Sequence, residues 1–413
     1  MRLGEPTDPV ARERGAAFAK AWADYLAALE QSRADMMADP GCADAAVRDA
    51  ALFLPAQMQA AAFYMQIAPH TGYPLLQRTH VGEPIGLNWG MPNPDFDYRW
   101  AYLDGARRYR IHGPRKSAAT FFDIIAFSGY FVDDLKTYFQ GAINEFARPD
   151  GSIELFLGPK SKGPNHIDLD QSEPHNVLTL RETLEDWAID QPTPLRIECI
   201  DPAETLGPFS YPETDLVARL ERACVLVRNA TRRTVDFYHQ VVAGTGGVLN
   251  QFYVRKMNET VRVNNGHPDN VATHCSYHVR PGEALIIDTM MPRSAVYWGI
   301  QLADLWWRTT DFTWHHSSLN RKNGWFGPDG RFCAVVSHED PGVMNWLDPV
   351  GIERGNVMLR VYKGTDTPLP ETKIVPASEV LNHLPAAMPR VAREERRCIV
   401  AARTDGVLRR YGF

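Results

Sequence analysis

The 413-residue chain lacks most of the short signatures that announce an enzyme class. No Walker A, G-x-S-x-G, H-E-x-x-H or C-x-x-C occurs, and no G-x-G-x-x-G opens a helix. That removes the commonest NTPase, hydrolase, zinc-protease and dinucleotide-binding patterns, and with them any expected cofactor. The six cysteines, Cys42, Cys199, Cys224, Cys275, Cys333 and Cys398, are scattered. A disulfide framework is not indicated in so large a chain without an export signal. Long apolar runs are missing too. The stretch from Ala50 to Ala68 is broken by Pro55, Gln57, Gln59 and Gln66, so no membrane span is expected. The opening Met1-Arg2-Leu3-Gly4-Glu5-Pro6 has no apolar core of a leader. These absences together read as a reduced, cytoplasmic protein.

An excess of positive charge is also lacking. Forty-four basic against fifty acidic side chains leave a net charge of −6, which argues against a nucleic-acid partner. The local exception runs from Pro389 to Phe413, with Arg390, Arg393, Arg396, Arg397, Arg403, Arg409 and Arg410. Glu394, Glu395 and Asp405 interleave with them, so the stretch reads as a solvated or subunit-contacting helix. The cluster Gly244-Thr245-Gly246-Gly247 has no following Lys-Ser/Thr, and it reads as a helix-ending turn.

What is present is an ordinary stock of apolar residues and 43 aromatics, enough for two or three units at roughly 150 residues each. Asp8-Pro9 is a good helix start, and Phe18, Trp22, Tyr25 and Leu29 recur at helical spacing. A second helix is expected over 45–67. Strands are expected at 98–103, 107–111, 120–127, 152–157, 176–180 and 195–200. The first two flank Asp104-Gly105, a hairpin signal. Those between Ile153 and Arg196 read as short and edge-like among several Pro and Gly. Helical periodicity returns over 212–242, with a break expected at Asn229-Ala230-Thr231. Further strands follow at 273–279, 284–290, 295–304, 333–338 and 357–362, then a helix over 391–410.

The fold class expected is therefore α+β, an antiparallel β-sandwich or jelly-roll-like core with N-terminal and C-terminal helices packed around it. The expected division is a helical layer over 1–90, a first β-rich segment over 91–210 and a helical connection over 211–250. A β-sandwich over 251–375 and the C-terminal helix over 376–413 complete it.

The window from Trp298 to Trp346 holds six of the ten Trp. Apolar planes beside a few polar groups describe a small-molecule pocket, and a sandwich core with aromatic rims is the competing reading. The acid–base candidates are His278 and His315, oriented by Asp304 or Asp288, with Arg308 to stabilise developing negative charge. Tyr297 and Gln301 share one face of their strand, while Trp298 and Asp304 share the other. Trp298, Trp314 and Trp346 would stack on a substrate, and Gln301 and Asn320 would supply polar contacts. A metal is not expected. His274 and His278 lie roughly 13 Å apart along an extended strand, too far for one ion.

One stretch is more specific. Asp340-Pro341-Gly342-Val343, Asn345-Trp346-Leu347-Asp348, Gly351, Gly355 and Arg360 resemble the C-terminal signature of a bacterial domain-of-unknown-function family, number twelve-fourteen. Tyr297-Trp298, Gln301-Leu302, Asp304, Ser318, Asn320 and Asp329-Gly330 fit its pattern. Asn93-Pro94-Asp95, Tyr98, Tyr109-Arg110-Ile111 and Gly113 are similar to its upstream hairpin. The resemblance covers about 270–363 strongly and 93–113 moderately, and implies a β-rich fold without supplying an activity. The family's Asp-Thr-Ala-Gly is Asp348-Pro349-Val350-Gly351 here, and its following His is Ile352.

By subtraction the sequence points to a cofactor-independent lyase or isomerase acting on an aromatic or polycyclic small molecule, such as a lignin-derived or plant-phenolic compound. A non-catalytic sandwich binding a glycan or hydrophobic ligand is one alternative. A metal-dependent enzyme using His274, His278 or His315 is the other. The aromatic first helix and the Arg-rich last one make a homo-oligomer the expected assembly.

Overall fold

The computed structural model describes residues 9–82, 84–161, 163–206, 209–244, 246–254, 270–292, 294–364 and 368–413. Apolar periodicity near 3.6 produces three long helices, α1 (Pro9–Ala38), α2 (Ala45–Ala62) and α3 (Glu213–Gly244). Asp44 caps α2, its carboxylate accepting from the Ala46 amide at 3.0 Å. The expected cap at Asp8 lies outside the described residues, as does Thr245 of the glycine cluster.

Two β-sandwiches follow. The first is built from β1 (Phe96–Asp104), β2 (Tyr109–Gly113), β3 (Phe122–Ser128), β4 (Lys136–Ala142), β5 (Ile153–Gly158), β6 (His166–Asp168), β7 (His175–Thr183) and β8 (Arg196–Cys199). Its sheets run β1-β7-β3-β4 and β6-β5-β2-β8. Between them lies a core that includes Leu103, Ile111, Ile124, Leu155, Leu178 and Leu180. The opposite face of the first sheet, with Trp100, Tyr102, Ile125 and Phe127, packs under the three helices.

The second sandwich uses β9 (Phe252–Val254), β10 (Asn270–His278), β11 (Glu283–Met290), β12 (Tyr297–Asp304), β13 (Ser318–Asn320), β14 (Arg331–Ser337), β15 (Trp346–Leu347), β16 (Arg354–Tyr362) and β17 (Glu371–Pro376). Its sheets run β13-β12-β16-β10-β9 and β15-β14-β11-β17. They close over Leu285, Ile287, Trp298, Ile300, Leu302, Val336, Val357 and Leu359. A last helix, α4 (Arg393–Tyr411), packs across both halves. The architecture is α+β, with sandwiches flanked by helices at both ends of the chain.

Four sequence expectations need correction. Asp104-Gly105 makes a turn but no hairpin, because β1 pairs with β7 while β2 pairs with β5 and β8. The turn carries the chain from one sheet to the other. A Cβ on Gly105 would stand 2.2 Å from the Asp170 carbonyl, so only glycine admits that close approach. Of the strands in the stretch read as short and edge-like, β6 and β8 are so, but two are interior. β7 runs nine residues between β1 and β3, and β5 sits between β6 and β2, because the prolines fall in the loops. Helix α3 passes unbroken through Asn229-Ala230-Thr231, since the Thr231 hydroxyl bonds back to the Val227 carbonyl at 2.8 Å. Finally, α4 is not simply a solvated helix. Arg396, Arg403 and Arg410 recur every seven residues, and all three are buried.

Candidate functional site

The loop after β12 reverses on a side chain. Asp304 Oδ1 accepts from the Trp306 and Arg308 amides, both at 2.9 Å, and fixes a tight Asx-type turn. Trp307 takes φ +66° in that turn, a left-handed conformation that bulky residues rarely adopt. The two indoles consequently diverge. Trp306 donates to the Val47 carbonyl at 2.8 Å beneath the helices, and Trp307 stacks on Phe237 at 4.7 Å.

This turn forms one wall of a cleft of about 760 Å³. Val47, Ala50 and Phe53 of α2 form a second wall, and the loop 350–354 a third. Asp304, Arg308, Asp311 and Trp314 all line it. Arg308 lies over the Phe53 ring at 4.8 Å and 3.5 Å from Asp304 Oδ2, so its guanidinium is both stacked and paired. Trp314 is 43% exposed, the one Trp of the expected stacking trio with an open ring.

His315 stands at the cleft edge. Its Nδ1 lies 2.8 Å from Asp348 Oδ2, and its Nε2 lies 3.9 Å from Asp311 Oδ2. The Val350 amide holds the other Asp348 oxygen at 2.8 Å. Donation of Nδ1–H to Asp348 leaves the lone pair of the neutral ring on Nε2, on the side of Asp311. The His315 side chain is 40% exposed, so it can exchange protons with solvent. This is a His–carboxylate pair beside an arginine and two aromatic rings.

The other sequence-derived candidates are not brought to this cleft. Tyr297 and Asn320 meet at Asp95, in the loop before β1. Asp95 accepts from the Tyr297 hydroxyl at 2.7 Å, Asn320 Nδ2 at 2.7 Å and Trp187 Nε1 at 2.8 Å. Burial raises the Asp95 carboxyl above its ordinary value against the pull of those three donors. The same burial, with the Asp95 charge next, pushes the Tyr297 phenol well up. Gln301 donates to the Pro92 carbonyl at 3.1 Å and accepts from Arg360. Over Trp187 lie Arg403 at 4.0 Å and Arg410 at 5.3 Å, and burial brings Arg403 down to about 10.

Trp298 belongs to the second sandwich core, edge-on to Phe332 at 5.2 Å, and cannot stack on a ligand. Trp346 is buried and donates to the Ser337 carbonyl at 2.9 Å. Asp288 pairs with Arg331 on the far sheet, at the end of an apolar run that points its next polar residue outward. His278 ends β10 with its backbone clamped by Asn250, whose Oδ1 accepts its amide at 2.8 Å. Among the described residues no group of three His, Cys, Asp or Glu side chains could hold a metal ion.

Asp95, Trp187, Arg403 and Arg410 were missed as members of one cluster. Their separations along the chain, such as 225 residues between Asp95 and Asn320, leave no local signal. Asn93-Pro94-Asp95 was noticeable only as part of a pattern.

No family model matches the chain, and no curated protein is similar to it at significance. Among solved structures, an uncharacterized protein from Burkholderia cenocepacia is similar in fold. Its TM-score is 0.73 at 22% identity, covering 87% of this chain and 97% of that one. A Vibrio parahaemolyticus protein, VPA0106, matches at TM-score 0.44 and 10% identity over 78% and 96% of the two chains. The first shows that the α+β architecture occurs over nearly the whole length of that protein. No helix among the described residues is long and apolar enough to cross a membrane.

Proposed function

We propose that the cleft is the active site of a cofactor-independent acid–base enzyme, of lyase or isomerase type, acting on an aromatic small molecule. The observation that carries this reading is the 2.8 Å contact between His315 Nδ1 and Asp348, with Nε2 turned toward the cleft residue Asp311. His315 takes or returns a proton through Nε2. Asp348 fixes the ring and stabilises its charged form. Arg308 meets negative charge that develops on the substrate, and Trp314 and Phe53 offer faces to an aromatic ring. The resemblance to the twelve-fourteen family adds that its histidine position is Ile352, which also lines the cleft.

A glycan-binding platform needs coplanar exposed Trp, and Trp298 and Trp346 are buried. We place the protein in the cytoplasm and as a homo-oligomer, the assembly supported by Trp22 and Leu26 of α1, which are 47% and 50% exposed. Light scattering after size exclusion reads the assembly.

The test of the activity is a panel of lignin-type phenolics incubated with the full chain and followed by absorbance. Turnover should fall at least about a hundredfold in His315→Gln and stay near wild type in His278→Ala. Undiminished turnover in His315→Gln removes the assignment.

A further inference from the structure

The helix-covered face of the first sheet carries buried polar atoms without a hydrogen-bond partner among the described residues. One row across it, paired in register, is Gln77, Trp100, Thr179 and Ile125. The next is Tyr102, Val177 and Phe127. Trp100 Nε1, Tyr102 OH, Thr179 Oγ1 and Gln77 Oε1 have no hydrogen-bond partner among the described residues. Trp100, Tyr102 and Thr179 are 2%, 4% and 1% exposed, so water does not reach them from outside. Each such atom costs about 1–3 kcal/mol, and native proteins keep few of them. Four on one patch call for a common cause.

The surroundings are aromatic. His80 stacks on Trp100 at 5.1 Å, Phe131 meets Trp100 edge-on at 5.3 Å, and Trp89 meets Phe131 at 5.2 Å. Burial brings His80 down to about 4, so this ring is uncharged at neutral pH. Arg233 of α3 stacks above Phe131 at 5.9 Å. The unpartnered groups include a donor only, an acceptor only and two hydroxyls able to serve as either.

We propose that this face is a binding site for an uncharged hydroxylated aromatic carbonyl compound. Trp100 Nε1–H and the Tyr102 and Thr179 hydroxyls donate to its carbonyl oxygen, and Gln77 Oε1 accepts from its phenol. The site shares no lining residue with the His315 cleft and does not rest on the function proposed for it.

Calorimetric titration of the full chain with 4-hydroxyacetophenone, 4-ethylphenol and benzoate tests it. Wild type should bind 4-hydroxyacetophenone at least about tenfold tighter than 4-ethylphenol, which lacks only the carbonyl oxygen among its polar groups. Tyr102→Phe/Thr179→Val should erase that preference while melting no lower than wild type, since it deletes unsatisfied atoms. Should the double variant fail to fold, Trp100→Phe must weaken 4-hydroxyacetophenone by the same order. Asp288→Ala, in a surface pair on the far sheet, should leave the titration unchanged. No saturable heat from 4-hydroxyacetophenone, equal binding of 4-ethylphenol, undiminished binding by the variants, or tighter binding of benzoate each overturns the proposal.

Discussion

Asp95 and Asp348 each engage neighbours through both carboxylate oxygens, yet they sit in opposite surroundings. Asp95 is sealed among Tyr297, Asn320 and Trp187, and its charge costs the fold so much that its carboxyl is raised. Asp348 meets a His315 ring that is 40% exposed beside an open cleft. The dry carboxylate joins the loop before β1 to β12 and β13, so it holds the two sandwiches together. The wet one orients a titratable ring. Similar residue types in one stretch of sequence thus divide into architecture and chemistry according to access to water.

The division can be broken from the architectural side. Asp95→Ala, which leaves three buried donors without an acceptor, should lower unfolding free energy by about 3–5 kcal/mol, read by urea denaturation. Asp95→Asn should be mild by comparison. Its carbonyl oxygen can serve Trp187 and Asn320, and its amide can donate to the Tyr297 hydroxyl. The comparison with Asp95→Asn also carries a pH sign. A raised folded-state pKa gives stability that is complete below the unfolded value near 4 and lost as pH climbs through the folded value. Wild type should therefore lose ground to Asp95→Asn as pH rises above about 4, checked by urea midpoints across that range.

From the chemical side, Asp348→Asn should cut turnover by about tenfold or more while moving the melting temperature little. An equal loss of stability would mean that Asp348, too, is architectural. Gly406→Ala sharpens the first region. A Cβ there would stand 2.2 Å from the Trp187 carbonyl and push α4 off the indole that holds Asp95. A loss of about 1–3 kcal/mol by thermal melting is expected. The smallest effect belongs to Asp288→Ala, which removes a solvent-facing pair with Arg331 and should change stability by less than about 1 kcal/mol and activity not at all.

Periodicity made most elements legible. The 3.6-residue spacing of Leu220, Cys224 and Val227 marks α3, and alternation marks β10, β12 and β16. Partner choice was not legible. Asp104-Gly105 has the chemistry of a hairpin turn, but the hydrophobic faces of β1 and β2 belong to facing sheets, and burial of both faces decided the pairing. In β12 the alternation separated Tyr297 and Gln301 from Trp298, as observed. It could not say that the first face meets Asp95, about half the chain away, or that Trp298 closes a core. Of the dense Trp window, Arg308, Trp314 and His315 reach the cleft or its edge because a turn closed by Asp304 swings them outward. That depends on one side-chain–backbone contact and leaves no periodic trace.

Trp187 has one further consequence, for the time course of folding. Its indole is gripped from α4 by Arg403 and Arg410, while Arg410 also donates to the Pro94 carbonyl across 316 residues. Few contacts in the molecule close so long a loop, and long loops close late. The first sandwich can find its own strand partners early, with Asp95 and Trp187 still waiting for residues from the far part of the chain. Until those arrive, Asp95 lacks the Tyr297 and Asn320 donors, and Trp187 lacks the two guanidinium groups that cover it.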